Sequence, residues 1–333
     1  MSTPRVRAFS GVQPTGRLHL GNYLGAIKPW VREQNKRENI FCVVDLHALT
    51  IPEVIQADRL RENCASVVAA FLASGIDPAV SSIFIQSHVR QHAELCWVLN
   101  CVTPLGWLDR MTQFKSKSEG RETVGTGLLD YPVLQAADIL LYDADIVPVG
   151  EDQKQHIELA RDIAVRFNHL FGDTLKVPGL SVPPTGARVM GLDDPTAKMS
   201  KSIAEQRPNH AIMLDQDLGK VRKVIMKAVT DGGCEYRPGE ASAGVVNLMG
   251  ILSAVTGEAV GEIAARFDGR GYGYLKAEVA DAVIAELTPV QGEYLRLVDD
   301  RPFLDGILRG STDKARGIAE QTMSRVRAAV GIG

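Results

Sequence analysis

Four short apolar runs (residues 6–9, 40–45, 82–86 and 145–149) punctuate the first half of the chain, with longer helix-patterned stretches at residues 23–34, 58–74 and 92–99. Alternation of this kind dictates a parallel sheet, because parallel neighbours need a crossover and the crossover helices cover both faces. In such sheets ligands gather beyond the carboxyl ends of the strands. Three polar clusters stand at those ends: Pro14 to Asn22 after the first run, Asp45-Leu46-His47 at the second, and Gly150-Glu151-Asp152-Gln153 after the last. One shared site would produce that arrangement. After Ser202 the pattern changes, and residues 218–229, 244–255, 259–267, 276–287 and 313–330 read as helices without convincing strands. The last of these has a polar start at Thr312-Asp313, an apolar face at Ala319, Met323, Val326 and Val330, and Gly331 as a stop. A domain boundary falls at residues 204–208.

At 333 residues the chain has room for one large or two modest domains. Apolar content of 45% and charged content of 23% belong to an ordinary globular protein. No apolar run reaches the roughly 18 residues of a membrane span, and the polar start Met-Ser-Thr-Pro-Arg-Val-Arg does not read as a signal peptide. Five scattered cysteines (Cys42, Cys64, Cys96, Cys101 and Cys234), without a C-x-x-C pair, argue for reduced thiols in a cytoplasm and against zinc or a disulfide framework. A net charge of −3 neither suggests nor excludes nucleic acid. Two local basic surfaces are candidates for RNA: Lys220, Lys223 and Lys227 on one helix face, and Arg316, Arg325 and Arg327 near the C-terminus. Each reads equally as a solvated helix face.

Lys198-Met199-Ser200-Lys201-Ser202 crowds two lysines and two serines into five residues. Two ammonium groups and two hydroxyls on one loop can wrap the phosphates of a nucleoside triphosphate, through charge-assisted hydrogen bonds to a developing pyrophosphate. A partner lies at residues 14–22, where a strand passes through a Gly-rich turn into a helix N-terminus, which suits phosphate. Neither the G-x-G-x-x-G nor the G-x-x-x-x-G-K-[ST] fingerprint occurs there.

Together these segments resemble the signature pair of the class I aminoacyl-tRNA synthetases. His19-Leu20-Gly21-Asn22 is similar to the motif written HIGH, and residues 198–202 match KMSKS letter for letter. Related nucleotidyltransferases share the first motif, so the second discriminates. Residues 9–14, 111–115, 129–142, 147–156 and 271–273 extend the resemblance to bacterial tryptophanyl-tRNA synthetases over essentially the whole chain. The resemblance implies an α/β fold: a Rossmann-like parallel-sheet catalytic domain at residues 1–205 and a C-terminal all-helical domain at 206–333 that reads the tRNA anticodon. It implies a tryptophan–tRNA ligase of the cytoplasm, acting on L-tryptophan, ATP with Mg2+, and tRNA(Trp), with no membrane or DNA partner. It also implies a homodimer, with residues 96–111 as a candidate contact. The alternatives are a tyrosyl-tRNA synthetase and a non-catalytic, synthetase-like RNA-binding protein.

The implied reaction is attack of an amino-acid carboxylate on the α-phosphate of ATP. It needs positioning and charge stabilisation but no protein nucleophile. By resemblance, Lys198 and Lys201, helped by Lys115, stabilise the leaving pyrophosphate. Ser200 and Ser202 bond phosphate oxygens. Gln13, Pro14, Thr15, His19, Gly21 and Asn22 hold the nucleotide, Gly150, Glu151 and Asp152 its ribose, and Val189 and Met199 its adenine. Magnesium is expected on the phosphates, and no protein metal cage is visible. Asp138 lies in an apolar stretch where an unpartnered carboxylate would be costly. It reads either as a ligand carboxylate or as a helix-internal Asp bonded to a neighbouring backbone group or Arg, and the resemblance assigns it to the indole N–H. The resemblance also implies that Tyr131, Gln153 and His47 hold or adjoin the amino-acid ammonium group, while Phe9, Val147 and Val149 read either as the lining of the indole pocket or as plain core. Gln135 departs from the pattern, since many tryptophanyl enzymes place Met there and tyrosyl enzymes place Gln.

Overall fold

The structure, a computed structural model, describes residues 5–14, 17–114, 123–148, 150, 153–181, 188–237 and 239–333. Its centre is one parallel sheet of five strands, β1 (Arg7–Val12), β2 (Glu38–Val43), β3 (Ser81–Ile85), β4 (Ile146–Pro148) and β5 (Gly179–Ser181), in the order β3-β2-β1-β4-β5. β2 is apolar from Ile40 onward because both faces are covered there: Ile40, Phe41, Cys42 and Val43 are all buried. Alternation along the pleat sends Phe41 and Val43 to one core and Ile40 and Cys42 to the other. β5 was not expected, since three residues are too few to show a period.

Helix α1, residues 20–33, begins as Leu20–Asn22, widens into a π turn at Tyr23–Ile27 and resumes at Lys28–Glu33. The next helices are α2 (Ala57–Ala73), α3 (Gln91–Asn100), α4 (Thr126–Leu140) and α5 (Lys154–Phe171). α3, α4 and α5 contribute Leu95, Val133, Ala137 and Ile163 to the core under Ile40 and Cys42. The other face receives α1 and α2, and their core runs on into the helices that follow residue 200.

Those helices are α6 (Lys201–Gln206), α7 (Leu218–Met226), α8 (Ala243–Thr256), α9 (Val260–Phe267), α10 (Tyr272–Asp299) and α11 (Arg301–Val330). Two are longer than expected. α10 passes through Pro289 instead of ending at 287. α11 starts at Arg301, where the Asp300 side chain caps Phe303 N–H at 3.1 Å, while the cap-like Thr312 is buried inside the helix.

The second half of α11 turns back to the first half of the chain. Ala315, Ala319, Met323 and Val326 share a core with Phe9, Ile40 and Phe84. This corrects the reading of Arg316, Arg325 and Arg327 as a basic surface for RNA. Arg325 Nη2 reaches both carboxylate oxygens of Asp143 (2.7 and 2.9 Å), and Arg327 makes a two-pronged pair with Glu94 (2.7 Å on each prong). Arg316 bonds Asp313 at 3.0 Å and the His88 carbonyl at 3.2 Å. A guanidinium matched to a carboxylate in this way fixes a helix in place. Among the described residues no single helix is long and apolar enough to cross a membrane. The five cysteines are unpaired, and Cys42, Cys64 and Cys96 are buried.

Candidate active site

The site lies at the carboxyl end of the sheet and begins where β1 runs into α1. His19 occupies the cap position of α1 in a reciprocal arrangement: its ring Nδ1 accepts from Asn22 N–H at 3.3 Å, and Asn22 Oδ1 accepts from His19 N–H at 3.1 Å. Acceptance requires an unprotonated Nδ1. Burial first, then the charges of Lys198 and His210, pull the His19 pKa down to about 4, so the ring is neutral at pH 7. Gly21 follows, and a Cβ there would meet the His19 ring at 3.0 Å and Met199 Cβ at 3.5 Å. Glycine is thus required by close approach, and the two sequence motifs pack directly on one another at this point.

Residues 189–202 are held from below. Met199 N–H donates to Val189 O at 3.1 Å, and Gly191 N–H to Ala197 O at 2.8 Å. Asn247 on α8 clasps Met190 from both sides, at 2.9 and 3.0 Å. Fully buried His210 joins Asp193 Oδ1 (2.7 Å, from Nδ1) to the Lys198 carbonyl (3.1 Å, from Nε2). An ionised carboxylate only accepts, so Nδ1–H donates to Asp193. Lys198 and Ser202 are exposed, Lys201 lies 3.6 Å from Glu205, and Ser200 caps α6 by accepting from Ile203 N–H at 3.3 Å. The hydrogen-bonded floor thus carries a loop of two ammonium groups and two hydroxyls, with Met199 against Gly21 and the Lys198 charge acting on His19. Gln13, Asn22 and Gly150 are exposed at the same end of the sheet, and Pro14 and Val189 are buried. Thr15, Lys115, Val149, Glu151 and Asp152 lie outside the described residues.

A second polar cluster lies under the ends of β2, β3 and β4. Tyr131, Gln135 and Asp138 are spaced four and three apart on α4 and therefore share a face. Tyr131 OH bonds His156 Nε2 at 2.9 Å and Gln113 Oε1 at 3.3 Å, and Gln135 Nε2 donates to Gln153 Oε1 at 3.4 Å. Asp138 is 1% exposed and accepts three hydrogen bonds. His47 Nε2 meets Oδ2 at 2.8 Å, while Gln86 Nε2 (2.6 Å) and His92 Nδ1 (2.7 Å) meet Oδ1. Desolvation acts to raise the carboxyl's pKa, but bonds from His47 and His92 outweigh it and hold it at about 2. Asp138 is therefore a buried anion with built-in donors: His47 bonds it directly, Tyr131 stands edge-on to His47 with ring centres 6.3 Å apart, and Gln153 is bonded to Gln135 on the same face of α4.

Phe9 stands differently. It is buried, stacks on Tyr142 with ring centres 5.6 Å apart and belongs to the core shared by Tyr142 and Val147, in keeping with the plain-core reading of this residue. Gln86 and His92 escaped the sequence reading. Gln86 directly follows β3 and opens the short polar turn Gln86–His88, which reads as an ordinary strand exit, and His92 is the second residue of a helix in which nothing local marks it as a partner of Asp138. The lysine surface fares better. α7 turns Val221, Val224 and Ile225 inward and leaves Lys220, Lys223 and Lys227 exposed, with Arg222 beside them.

Residues 1–288 match the family model for tRNA synthetases class I (W and Y). A tryptophan–tRNA ligase of Wolinella succinogenes is 47% identical over 98% of this chain and 98% of its own length. Among solved structures, a tryptophanyl-tRNA synthetase from Mycoplasma pneumoniae superposes with a TM-score of 0.90 at 35% identity, covering 99% of this chain and 98% of its own. One from Campylobacter jejuni, complexed with ADP and tryptophan, gives 0.83 at 35% identity over 98% of this chain and 100% of its own. With its two signature motifs packed together at the carboxyl end of a parallel sheet, this chain belongs to the class I tRNA synthetase family for W and Y.

Proposed function

We propose that this chain is a tryptophan–tRNA ligase that joins L-tryptophan to tRNA(Trp) in two steps. In the first, a carboxylate oxygen of tryptophan attacks the α-phosphorus of ATP and the bond to the bridging oxygen of pyrophosphate breaks. In the second, a hydroxyl at the 3′ end of the tRNA attacks the activated carbonyl and AMP leaves. Lys198 and Lys201 offset the charge that grows on pyrophosphate, and Ser200 and Ser202 bond its oxygens. The turn from Gln13 to Asn22 holds the nucleotide against Met199, and residues 150–152 hold the ribose. Mg2+ arrives with the phosphates, which with water supply the ligands it prefers.

The observation that carries the choice of amino acid is Asp138. An ionised carboxylate oxygen accepts two hydrogen bonds. Among the described residues Oδ1 takes two donors and Oδ2 takes one, leaving room on Oδ2 for a donor-only indole N–H. Phenylalanine has nothing to offer there, and tyrosine fills less of a two-ring cavity. Gln135 is bonded to Gln153, so its polar end is directed to the rim of the site and the position does not demand tyrosine. Tyr131 and Gln153 receive the ammonium group.

The exposed lysines of α7 contact the tRNA, and the helices of residues 206–299 read its anticodon. The working form is a homodimer in the cytoplasm. Exposed Trp97 and Leu105, 71% and 63% accessible, support the expected contact at residues 96–111. ATP–pyrophosphate exchange with each amino acid tests the reading. A tryptophan-dependent signal is expected, and a tyrosine signal equal to it would overturn the assignment. Light scattering showing only a 36.1 kDa particle at micromolar protein would refute the dimer.

A further inference from the structure

The Asp138 carboxylate is fixed from behind, through Oδ1, by a chain of buried groups. Gln86 is fully buried, and its Oε1 accepts from Leu46 N–H at 3.1 Å. A backbone N–H can only donate, so the amide orientation is decided: Nε2 faces Asp138 and donates to Oδ1 at 2.6 Å. His92, also fully buried, donates from Nδ1 to the same oxygen at 2.7 Å. In the neutral ring Nε2 is then an acceptor, and Tyr142 OH donates to it at 2.8 Å. Tyr142 is held by its stack on Phe9. On the other side, His47, next to Leu46, meets Oδ2 at 2.8 Å. The turn at Asp45–Ala48 thus supports both oxygens, one directly and one through Gln86.

The carboxylate torsion of an Asp is soft, so an unsupported Asp138 would turn freely. We infer that Gln86 and His92 are positioning residues for amino-acid selection: they fill both acceptor positions of Oδ1, so that Oδ2 alone meets the substrate's N–H. This rests on the tryptophan reading above. Neither residue touches substrate, and their effect is confined to the one bond that distinguishes an indole from a ring without a donor.

The test compares tryptophan with β-(3-benzothienyl)alanine, in which sulfur replaces the N–H at nearly unchanged shape. Pyrophosphate exchange is measured for the unmodified protein and for Gln86→Met, His92→Leu and His92→Asn. For Gln86→Met and His92→Leu the ratio of kcat/KM, tryptophan over analogue, should fall by about tenfold, carried mainly by KM for tryptophan. KM for ATP and the rate with the analogue should hold. His92→Asn, which keeps a donor near the Nδ1 position, should restore most of the ratio. A purely structural role lowers both amino acids by one factor and leaves the ratio intact, and that result overturns the inference. Where these variants fail to fold, Tyr142→Phe removes a single hydroxyl, and the ratio should fall about threefold. An unchanged ratio there also refutes it. The two failures are distinguishable: an unmodified protein inactive with tryptophan removes the functional reading and this inference with it. An active, discriminating protein with indifferent variants removes the inference alone.

Discussion

Gly191→Ala probes how firmly the phosphate loop must be held. A Cβ at residue 191 would lie 2.2 Å from His210 Cε1, 2.4 Å from its Nδ1 and 2.8 Å from the Asp194 carbonyl oxygen. Ordinary contact begins near 3.4 Å, so the ring must retreat by about 1 Å or the loop must rise by as much. The His210 ring is fully buried and cannot swing into solvent. Retreat breaks its bonds to Asp193 (2.7 Å) and to the Lys198 carbonyl (3.1 Å). Overpacking costs about 1–3 kcal/mol and the lost bonds about 1–3 kcal/mol more, so a loss of roughly 3 kcal/mol is expected. For a chain of this size that lowers the melting temperature by about 4 °C. The effect on rate is the larger one. Lys198 rides on the carbonyl that His210 holds, and a misplacement of about 1 Å at a reacting group costs roughly 10²-fold. Pyrophosphate exchange should therefore fall by that factor while KM for tryptophan changes little, since Asp138 shares no bond with this loop. Gly250→Ala is the control. Beyond the adjoining backbone of α8 itself, nothing lies within 4 Å of a Cβ there, so it should keep full activity and gain about 0.4–1 kcal/mol. Full exchange activity in Gly191→Ala, with an unshifted melting temperature, would refute the claim that the His210 clamp sets the loop.

Lys198→Ala and Lys201→Ala should each lower the exchange rate by about 10²–10³ with tryptophan affinity nearly intact, and a parallel loss of affinity would count against their role on pyrophosphate. Replacing Lys220, Lys223 and Lys227 together with Glu should weaken tRNA charging and flatten its salt dependence while exchange without tRNA persists; an equal fall in exchange would mean that α7 is structural. Stability should fall in mild acid because of His19. Its folded pKa, about 4, lies below the unfolded value of 6.5, so the unfolded chain takes up the proton first. The contribution is intact above pH 6.5, drains as pH falls towards 4, and amounts to a few kcal/mol at most. Denaturant titrations at pH 7 and pH 4.5 check it, and His19→Gln should reduce the slope; an unaltered slope would show that His19 is not its source.

How much of this molecule can be read from its sequence follows from the range of the interactions involved. The sheet was legible because β2 and β3 are buried on both faces and have apolar runs long enough to register. β5 was not, since a three-residue edge strand is defined by its pairing with β4. α5 has the strong amphipathic pattern of a helix on a sheet, yet it hid within a stretch read first for its polar motif. The start of α11 misled for the opposite reason. Thr312-Asp313 has the local chemistry of a cap, but Thr312 is buried within the helix, and burial overrides a local preference.

The site divides along the same line. Type and position were enough to put His19 and Asn22 at the end of β1 and His47 at the end of β2, and to mark the lysines of residues 198–202 as one loop. What the sequence could not carry is the set of groups acting on those residues. His210 lies 12 positions from Lys198, Gln86 lies 52 from Asp138, and Glu94 lies 233 from Arg327, and no local pattern marks any of them. Each satisfies a demand that a sequence states only in part. A buried Asp must have donors, a lysine-bearing loop must have an anchor, and an arginine beside a carboxylate will take it as a partner before any distant phosphate. The first two demands say that a partner exists without naming it. The third reverses a reading, because Arg325 and Arg327 look like an RNA surface until the fold brings Asp143 and Glu94 to them. Among the described residues Lys220, Lys223 and Lys227 pair with no carboxylate; Asp217 caps only the Lys220 backbone, and all three lysines are exposed. Exposed cations without a carboxylate across from them are what an RNA backbone requires, and for that reason the experiment on tRNA charging belongs on α7 and not on α11.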